Sequence, residues 1–288
     1  MKKRVVLNSP RLKELRRKKH KSTRTRLVVF VVLFLFIFSI ISLLSRVSKF
    51  NIDNITISGN KITDTNDIET VVKNIISGNY LFIFPKTNFL IYPKQKIITG
   101  LNYKFKRLNN ISINVNNFRT LEITVSEYGG KYLWCGGLIP TSENKDNKCY
   151  FLDSNGYIFD EAPYFSGNVY FKFYGDSNLN KENPSGSYFL KDKWKDVIEF
   201  KNTIEKLDLK VTSFWVDEKK EEGNFAISGE PETSPKIIFK INDDYEKLAE
   251  NLQAAISIEP LKTDLKTKLS TLLYIDLRFG NKVYYKFQ

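Results

Sequence analysis

Histidine is nearly missing from this chain of 288 residues: a single one, His20, stands in the first 26 residues. The rest of the chain holds none, which removes His-based catalytic triads and nearly all familiar zinc sites. Cysteine is as scarce, with Cys135 and Cys149 alone. A metal site would need further thiols or histidines, so neither a metal nor a cofactor is expected. Charge and proline are absent from one stretch, Leu27 to Leu44, LVVFVVLFLFIFSIISLL, where sixteen of eighteen residues are apolar.

That run predicts a single membrane-spanning helix over residues 27–47. At ~1.5 Å of rise per residue the eighteen residues reach ~27 Å, about the hydrocarbon thickness of a bilayer. Ser39 and Ser42 fit, because a hydroxyl bonds back to the carbonyl one turn earlier and brings no unsatisfied polar group into lipid. A cleaved signal peptide would have a shorter apolar region and small residues at its cleavage site, whereas LLSRVSKF follows here. A buried core helix of this length would carry a polar face. The permanent anchor is the favoured reading.

The net charge of +13 suggests a nucleic-acid partner until it is divided at the anchor. Twelve of the 45 Lys and Arg, and one of the 32 acids, fall within residues 1–26, leaving 33 bases against 31 acids beyond them. The bulk is thus nearly neutral and has no electrostatic footprint for nucleic acid. The basic tail, residues 1–26, instead holds the first segment on the cytoplasmic side, with the bulk outside.

About 240 residues remain beyond the anchor, more than one small core usually organises, so two domains are expected. Ile55 and Ile57 alternate with polar residues and run into Gly59-Asn60, a strand and its turn. Ile68, Val71, Val72, Ile75 and Ile76 form one helical stripe, with Thr63 or Asp64 to cap it and Gly78 to stop it. Gly78 to Pro85 reads as an apolar connector. A second helix starts near Pro93 with Ile97, Ile98, Leu101 and Phe105 inward, although Gly100 weakens it. Ile111, Ile113 and Val115 alternate, Asn116-Asn117 turns, and Leu121, Ile123 and Val125 alternate again before Glu127, a β-hairpin.

Further on, Tyr170-Phe171-Lys172-Phe173 precedes a helix from about Lys191, with Trp194, Val197, Ile198, Ile204 and Leu207 inward. Strands are expected near Val211 to Asp217, Asn224 to Ser228 and Lys236 to Ile241. Asn242 or Asp243 then caps a helix whose stripe is Tyr245, Leu248, Ala249, Leu252, Ala255 and Ile256, ending before Pro260.

A β-α-α-β-β module directly outside a single anchor, with ISGN near its start, GNYLF between its helices and TLEITVSE at its end, resembles a POTRA domain. Cys149-Tyr150-Phe151-Leu152-Asp153-Ser154-Asn155-Gly156-Tyr157-Ile158-Phe159 and the final Tyr274-Ile275-Asp276-Leu277-Arg278-Phe279-Gly280-Asn281-Lys282-Val283 are similar to motifs of the bacterial division proteins FtsQ/DivIB. The likeness runs over nearly the whole chain. Departures fall at Asn117-Phe118-Arg119, where a proline-containing turn is frequent, and at Tyr128-Gly129-Gly130-Lys131, where the join between domains differs.

The resemblance implies an α+β protein: an anchor, a POTRA domain over 50–127, and a larger mixed domain over 128–288 with a mostly antiparallel sheet. It implies a non-enzymatic divisome scaffold, single-pass with its N-terminus cytoplasmic, at the septum, binding FtsB/FtsL-type single-pass coiled-coil proteins and linking them to septal wall synthesis. Binding would run by strand addition along the last strand, Lys282, Val283, Tyr284, Tyr285, Lys286 and Phe287, with no small-molecule substrate and no nucleic acid.

Cys135 and Cys149 bracket a loop rich in Gly, Asn and Lys between two strand-like segments. Outside a membrane they read as a disulfide, favoured over two free thiols. For the last hairpin, a three-residue Gly280-Asn281-Lys282 loop pairs Phe279 with Val283, Leu277 with Tyr285 and Ile275 with Phe287. Its other face pairs Arg278 with Tyr284 and Asp276 with Lys286, favourable cross-strand partners. This register makes Asp276 structural and puts Tyr284 on the polar face, where it is the better candidate for partner contact. The rival from another class is an envelope hydrolase using carboxylates such as Glu127, Asp153 and Asp276; it needs a carboxyl pair ~5 to 9.5 Å apart in a cleft, and nothing in the sequence places two of them together. Asp153-Ser154-Asn155-Gly156 is better explained as a turn. A POTRA-bearing outer-membrane translocator would need a long barrel of alternating strands, which is absent.

Overall fold

Lys and Arg are good helix formers, so the basic segment puts no break in front of the apolar run. The two fuse into one helix, α1 (Pro10–Ser45), with proline in the first-turn position that tolerates its missing N–H. The structure, a computed structural model, describes residues 10–140, 148–175, 179–180 and 182–288; residues 1–9 of the expected tail lie outside them. Helix α1 therefore starts well before Leu27 and ends at Ser45, short of the expected residue 47. Its Lys21–Ser45 portion is long and apolar enough to cross a membrane, and its apolar window is 0% buried in the protein. The chain is a mixed α+β protein with this apolar helix and a larger sheet-rich region.

The chain divides into two units, Met1–Lys104 with Asn110–Ser126, and Phe105–Asn109 with Glu127–Gln288. The first contains, after α1, β1 (Asn54–Ser58), α2 (Thr65–Ile76), the two-residue strands β2 (Asn79–Tyr80) and β3 (Phe84–Pro85), and α3 (Lys94–Lys104). Then come β4 (Leu108–Asn116) and β5 (Thr120–Glu127), and the three longer strands form a sheet in the order β1-β5-β4. β1 runs parallel to β5, with Ile55 opposite Leu121 and Ile57 opposite Ile123. Asp64 caps α2, its carboxylate accepting from the Asn66 N–H at 2.7 Å. Ile68, Val72 and Ile76 of the helical stripe are buried. In α3 only Ile97 and Leu101 are fully buried, while Ile98 and Phe105 are half-buried. Gly100 has a reason to be there: a Cβ on it would lie 2.7 Å from Ile75 Cδ1, so glycine lets α3 approach α2.

The second unit holds β6 (Tyr132–Trp134), β7 (Tyr150–Leu152), β8 (Ile158–Glu161), β9 (Lys172–Tyr174), α4 (Trp194–Lys206), β10 (Val211–Asp217) and β11 (Glu222–Ile227). After them come β12 (Lys236–Lys240), α5 (Tyr245–Ser257), α6 (Leu261–Lys268), β13 (Leu272–Phe279) and β14 (Lys282–Phe287). Nine strands pair in the order β14-β13-β12-β11-β10-β9-β6-β7-β8. The sheet is mostly antiparallel, with parallel neighbours at β12/β13, β9/β10 and β6/β9. One face carries the core. Phe173, Phe214, Phe225 and Phe239 from the strands meet Phe200 of α4, Leu248 and Leu252 of α5, and Leu261 and Leu265 of α6. The rings interlock, Phe225 stacked on Phe239 at 5.7 Å and Phe200 edge-on to Phe239 at 5.3 Å, the geometries that ring quadrupoles favour.

Four expectations are corrected. Helix α4 begins at Trp194, because the turn before it occupies the residues from Lys191. Asp244, not Asn242 or Asp243, caps α5, its Oδ1 accepting from the N–H groups of Glu246 and Lys247 at 3.1 and 3.3 Å. Helix α6 was not foreseen; its eight residues carry only Leu261 and Leu265 as buried positions, too few for a periodic signal.

The fourth concerns the last hairpin. Phe279 pairs with Lys282, so the loop is the two residues Gly280-Asn281 and not the expected three. A register shift between Asp276 and Phe279 then sets Asp276 opposite Tyr284, Ile275 opposite Tyr285 and Tyr274 opposite Lys286, and a second shift between Leu272 and Tyr274 sets Leu272 opposite Phe287. Neither the Ile275–Phe287 nor the Asp276–Lys286 pair forms. The physical reason is the bulge: an extra residue on β13 lets Leu277 stay 1% exposed while Val283, Tyr285 and Phe287 still pack on the core. A regular two-residue loop would have set a lysine on that apolar face. The irregularity removes the conflict without lengthening the turn.

Candidate interaction edge

Strand β14 is the last strand of the nine, and among the described residues no strand pairs with its outer edge. Such an edge presents a row of N–H and C=O groups that serves as a template for another chain. The opposite end of the sheet is closed differently. There the Ile158 N–H donates to the Ser187 carbonyl at 2.9 Å, the Gly186 N–H donates to the Ile158 carbonyl at 2.7 Å, and Tyr157 bridges Tyr188. A loop therefore covers the start of β8, and β14 is the edge left open.

The six residues singled out in β14 divide by face. Val283, Tyr285 and Phe287 pack against the core, while Lys282, Tyr284 and Lys286 are exposed. Tyr284 keeps 48% of its surface in solvent and meets Phe279 edge-on at 5.1 Å, and the Arg278 guanidinium lies over Phe279 at 5.6 Å. Arg278 also bonds Asp276 through Nε at 2.8 Å and Glu222 through Nη1. Hydrogen bonding to Asp276 foremost, with Glu222 adding to it against the cost of burial, holds the Arg278 pKa above its ordinary value. Asp276 is 4% exposed, so its charge is compensated inside the protein rather than offered to a ligand.

The three carboxylates of the hydrolase reading do not gather. Glu127 and Asp153 line one open hollow of about 350 Å³ with Asn109, Tyr128, Lys131 and Tyr188, and Asp276 is not part of it. Asp153 Oδ1 accepts from the N–H groups of Asn155 and Tyr157 at 2.8 Å each, which makes it the acceptor of an Asx turn. Around the hollow, the Tyr128 ring packs tilted against Tyr157 at 4.7 Å, and Tyr157 tilted against Tyr188 at 5.1 Å. Burial, then neighbouring tyrosines and Asp153, push the Tyr128 and Tyr157 phenols up from their usual range.

Cys135 and Cys149 form a disulfide with Cα atoms 4.1 Å apart. It joins the end of β6 to the start of β7; residues 141–147 of the loop it closes lie outside the described residues. Among the described residues no group of three or more His, Cys, Asp or Glu could hold a metal ion.

Two residues beside this edge that the pattern did not single out are Glu222 and Phe279. Glu222 sits at the head of a strand expected to begin at Asn224, and only its cross-sheet reach to Arg278 shows its part. Phe279 was assigned to the apolar face opposite Val283; it is 53% exposed and faces Tyr284 instead. A scan of the sequence against models of known protein families finds no match, and a search of curated proteins finds none either.

Proposed function

We propose that this chain is a non-enzymatic scaffold of the bacterial divisome, similar to FtsQ/DivIB. On this reading α1 crosses the membrane once with its basic N-terminus in the cytoplasm, and residues 50–127 are a POTRA domain. The second unit then binds FtsB/FtsL-type coiled-coil proteins at the septum and links them to septal wall synthesis. The first unit's sheet order β1-β5-β4 behind two helices supports the POTRA reading. The observation that carries the scaffold reading is the open edge of β14, where core-facing Val283, Tyr285 and Phe287 fix the strand and Lys282, Tyr284 and Lys286 remain available. An added strand gains main-chain hydrogen bonds along such an edge, and specificity comes from its alternate side chains.

The test is site-specific photo-crosslinking in the native host, with the probe at Tyr284 and a control at Lys73 on α2. The expected result is capture of a small single-pass coiled-coil division protein from position 284 and not from position 73. No capture at 284, in cells that divide normally when the protein is depleted, overturns the reading. Carboxylate-based hydrolysis of envelope material is the alternative. It draws on Glu127 and Asp153 sharing one hollow, but the turn bonds to Asp153 leave that carboxylate a structural task.

A further inference from the structure

Six exposed apolar side chains of the first unit gather where α1 ends. Val47, Phe50, Leu81, Phe82, Leu90 and Phe118 are between 38% and 92% exposed. Val47 and Phe50 follow directly on Ser45. Asn88 donates through Nδ2 to the Ser45 carbonyl at 3.1 Å and accepts from the Leu90 N–H at 3.1 Å, which puts Leu90 beside the helix end. Phe118 packs on Phe89 at 4.7 Å, and the Phe89 N–H donates to the Phe50 carbonyl at 3.0 Å.

The β2–β3 hairpin reaches furthest along the helix. Phe84 meets Phe38 edge-on at 5.5 Å, and Phe38, seven residues before Ser45, lies ~10 Å down the helix from its end. The tip is Leu81 and Phe82, 81% and 92% exposed, in a turn closed by the Ile83 N–H on the Tyr80 carbonyl at 2.9 Å. Both tip residues have positive φ, 48° and 60°, a conformation rarely adopted by large side chains. Two carbonyl groups of the turn are provided for as well: Arg46 donates through Nη2 to Phe82 O and through Nε to Ile83 O, both at 3.3 Å.

In water this arrangement is unfavourable, with two large side chains held out by a strained turn and covered by nothing. At the boundary between acyl chains and headgroups it is favourable, because the side chains leave water and the cation meets headgroup phosphates. Backbone carbonyls at that depth need a donor, which Arg46 supplies. The occupant follows from continuity: the same helix whose Phe38 touches the hairpin is the one long enough to cross a bilayer.

We propose that the β2–β3 hairpin is a second membrane contact, with Leu81 and Phe82 inserted into the outer leaflet beside α1 and Arg46 bracing the turn. The first unit is then held against the bilayer and does not swing freely from its anchor. This rests on the reading of α1 as membrane-spanning, and the test separates the two.

The full chain is reconstituted in nanodiscs with and without lipids brominated both near the headgroup end and at the middle of their acyl chains, so that a residue at either depth is reported. Tryptophan emission in excess of the unsubstituted chain is recorded for Phe82→Trp, Phe34→Trp and Ile62→Trp. Phe34 lies inside the apolar run; Ile62, 70% exposed, follows β1, whose five residues lead ~17 Å away from the helix exit. The expected result is at least about twofold quenching for Phe82→Trp and Phe34→Trp and none for Ile62→Trp. Quenching of Phe34→Trp without Phe82→Trp overturns the hairpin contact and leaves the anchor standing. Quenching of neither overturns both, and equal quenching of Ile62→Trp overturns the specific insertion of the tip.

Discussion

Arg278 folds back onto Asp276, two residues earlier on the same strand, its backbone N–H donating to Oδ1 at 3.1 Å and its Nε donating to the same oxygen at 2.8 Å. The pair sits at the bulge that sets the register of the last hairpin, and Glu222 on β11 completes it. Asp276→Ala leaves a half-buried guanidinium with one carboxylate in place of two. We expect a loss of about 2 to 3 kcal/mol, read from the urea midpoint of the full chain in detergent. Unchanged stability would mean that the bulge holds without its ion pair.

The observed register and the expected one differ in what they ask of Tyr284 and Tyr285. Tyr285 packs against the core and lies 6.0 Å from the Phe287 ring, while Tyr284 stands in solvent. Tyr285→Ala should destabilise by about 2 to 3 kcal/mol and Tyr284→Ala by less than about 0.5 kcal/mol. Position 284 is then free for a partner-directed role that substitution removes without unfolding the protein.

Gly59, at the end of β1, has φ +88°, and a Cβ there would collide with the Val125 carbonyl oxygen of β5. Backbone on both sides leaves no flexible atom to yield. Gly59→Ala should cost about 3 kcal/mol or more and raise proteolytic cleavage of the first unit, whereas Gly78→Ala, with nothing within 4 Å, should cost about 1 kcal/mol for its positive φ alone.

The disulfide spans 14 residues, and closing a loop of that size in the unfolded chain stabilises by about 3 kcal/mol. Reductant, or Cys135→Ser with Cys149→Ser, should lower the denaturation midpoint by the corresponding amount, and the two treatments should not add.

Alkaline pH provides a separate check on the second unit. Burial, with Glu230 adding to it, pushes the Tyr174 phenol far above its usual range; burial, with Asp196 and Asp243, does the same to Tyr245. The Tyr245 hydroxyl donates to the Ile241 carbonyl at 3.0 Å. A group whose pKa is raised on folding contributes stability that is fully present below its unfolded pKa, about 10, and is lost as pH rises toward the folded value. Thermal stability should therefore fall above about pH 10. An ultraviolet titration should show Tyr174 and Tyr245 ionising only together with unfolding.

The elements themselves were legible in the sequence wherever one face is buried and the other wet. The alternation of Leu121, Ile123 and Val125 and the stripe of Ile68, Val72 and Ile76 mark β5 and α2 because side-chain period follows backbone period. The membrane-competent helix was legible from composition alone. Other features lay outside any local pattern. Choosing Asp244 over Asp243 as a cap depends on where the chain leaves β12, and Gly100 makes sense only once Ile75 lies across from it.

The amino-acid sequence by itself determined the longer helices and strands, where the apolar helix runs and how charge divides around it, since these depend on residue type and spacing; the short helix α6 and the two-residue strands β2 and β3 left no such pattern. Tertiary structure alone decided the sheet order that leaves β14 at an edge, the bulge that sets Asp276 opposite Tyr284, and the meeting of Phe38 with Phe84. Each of those depends on distances between residues far apart in the chain, and a register or an edge changes with one residue's shift that leaves the local pattern untouched.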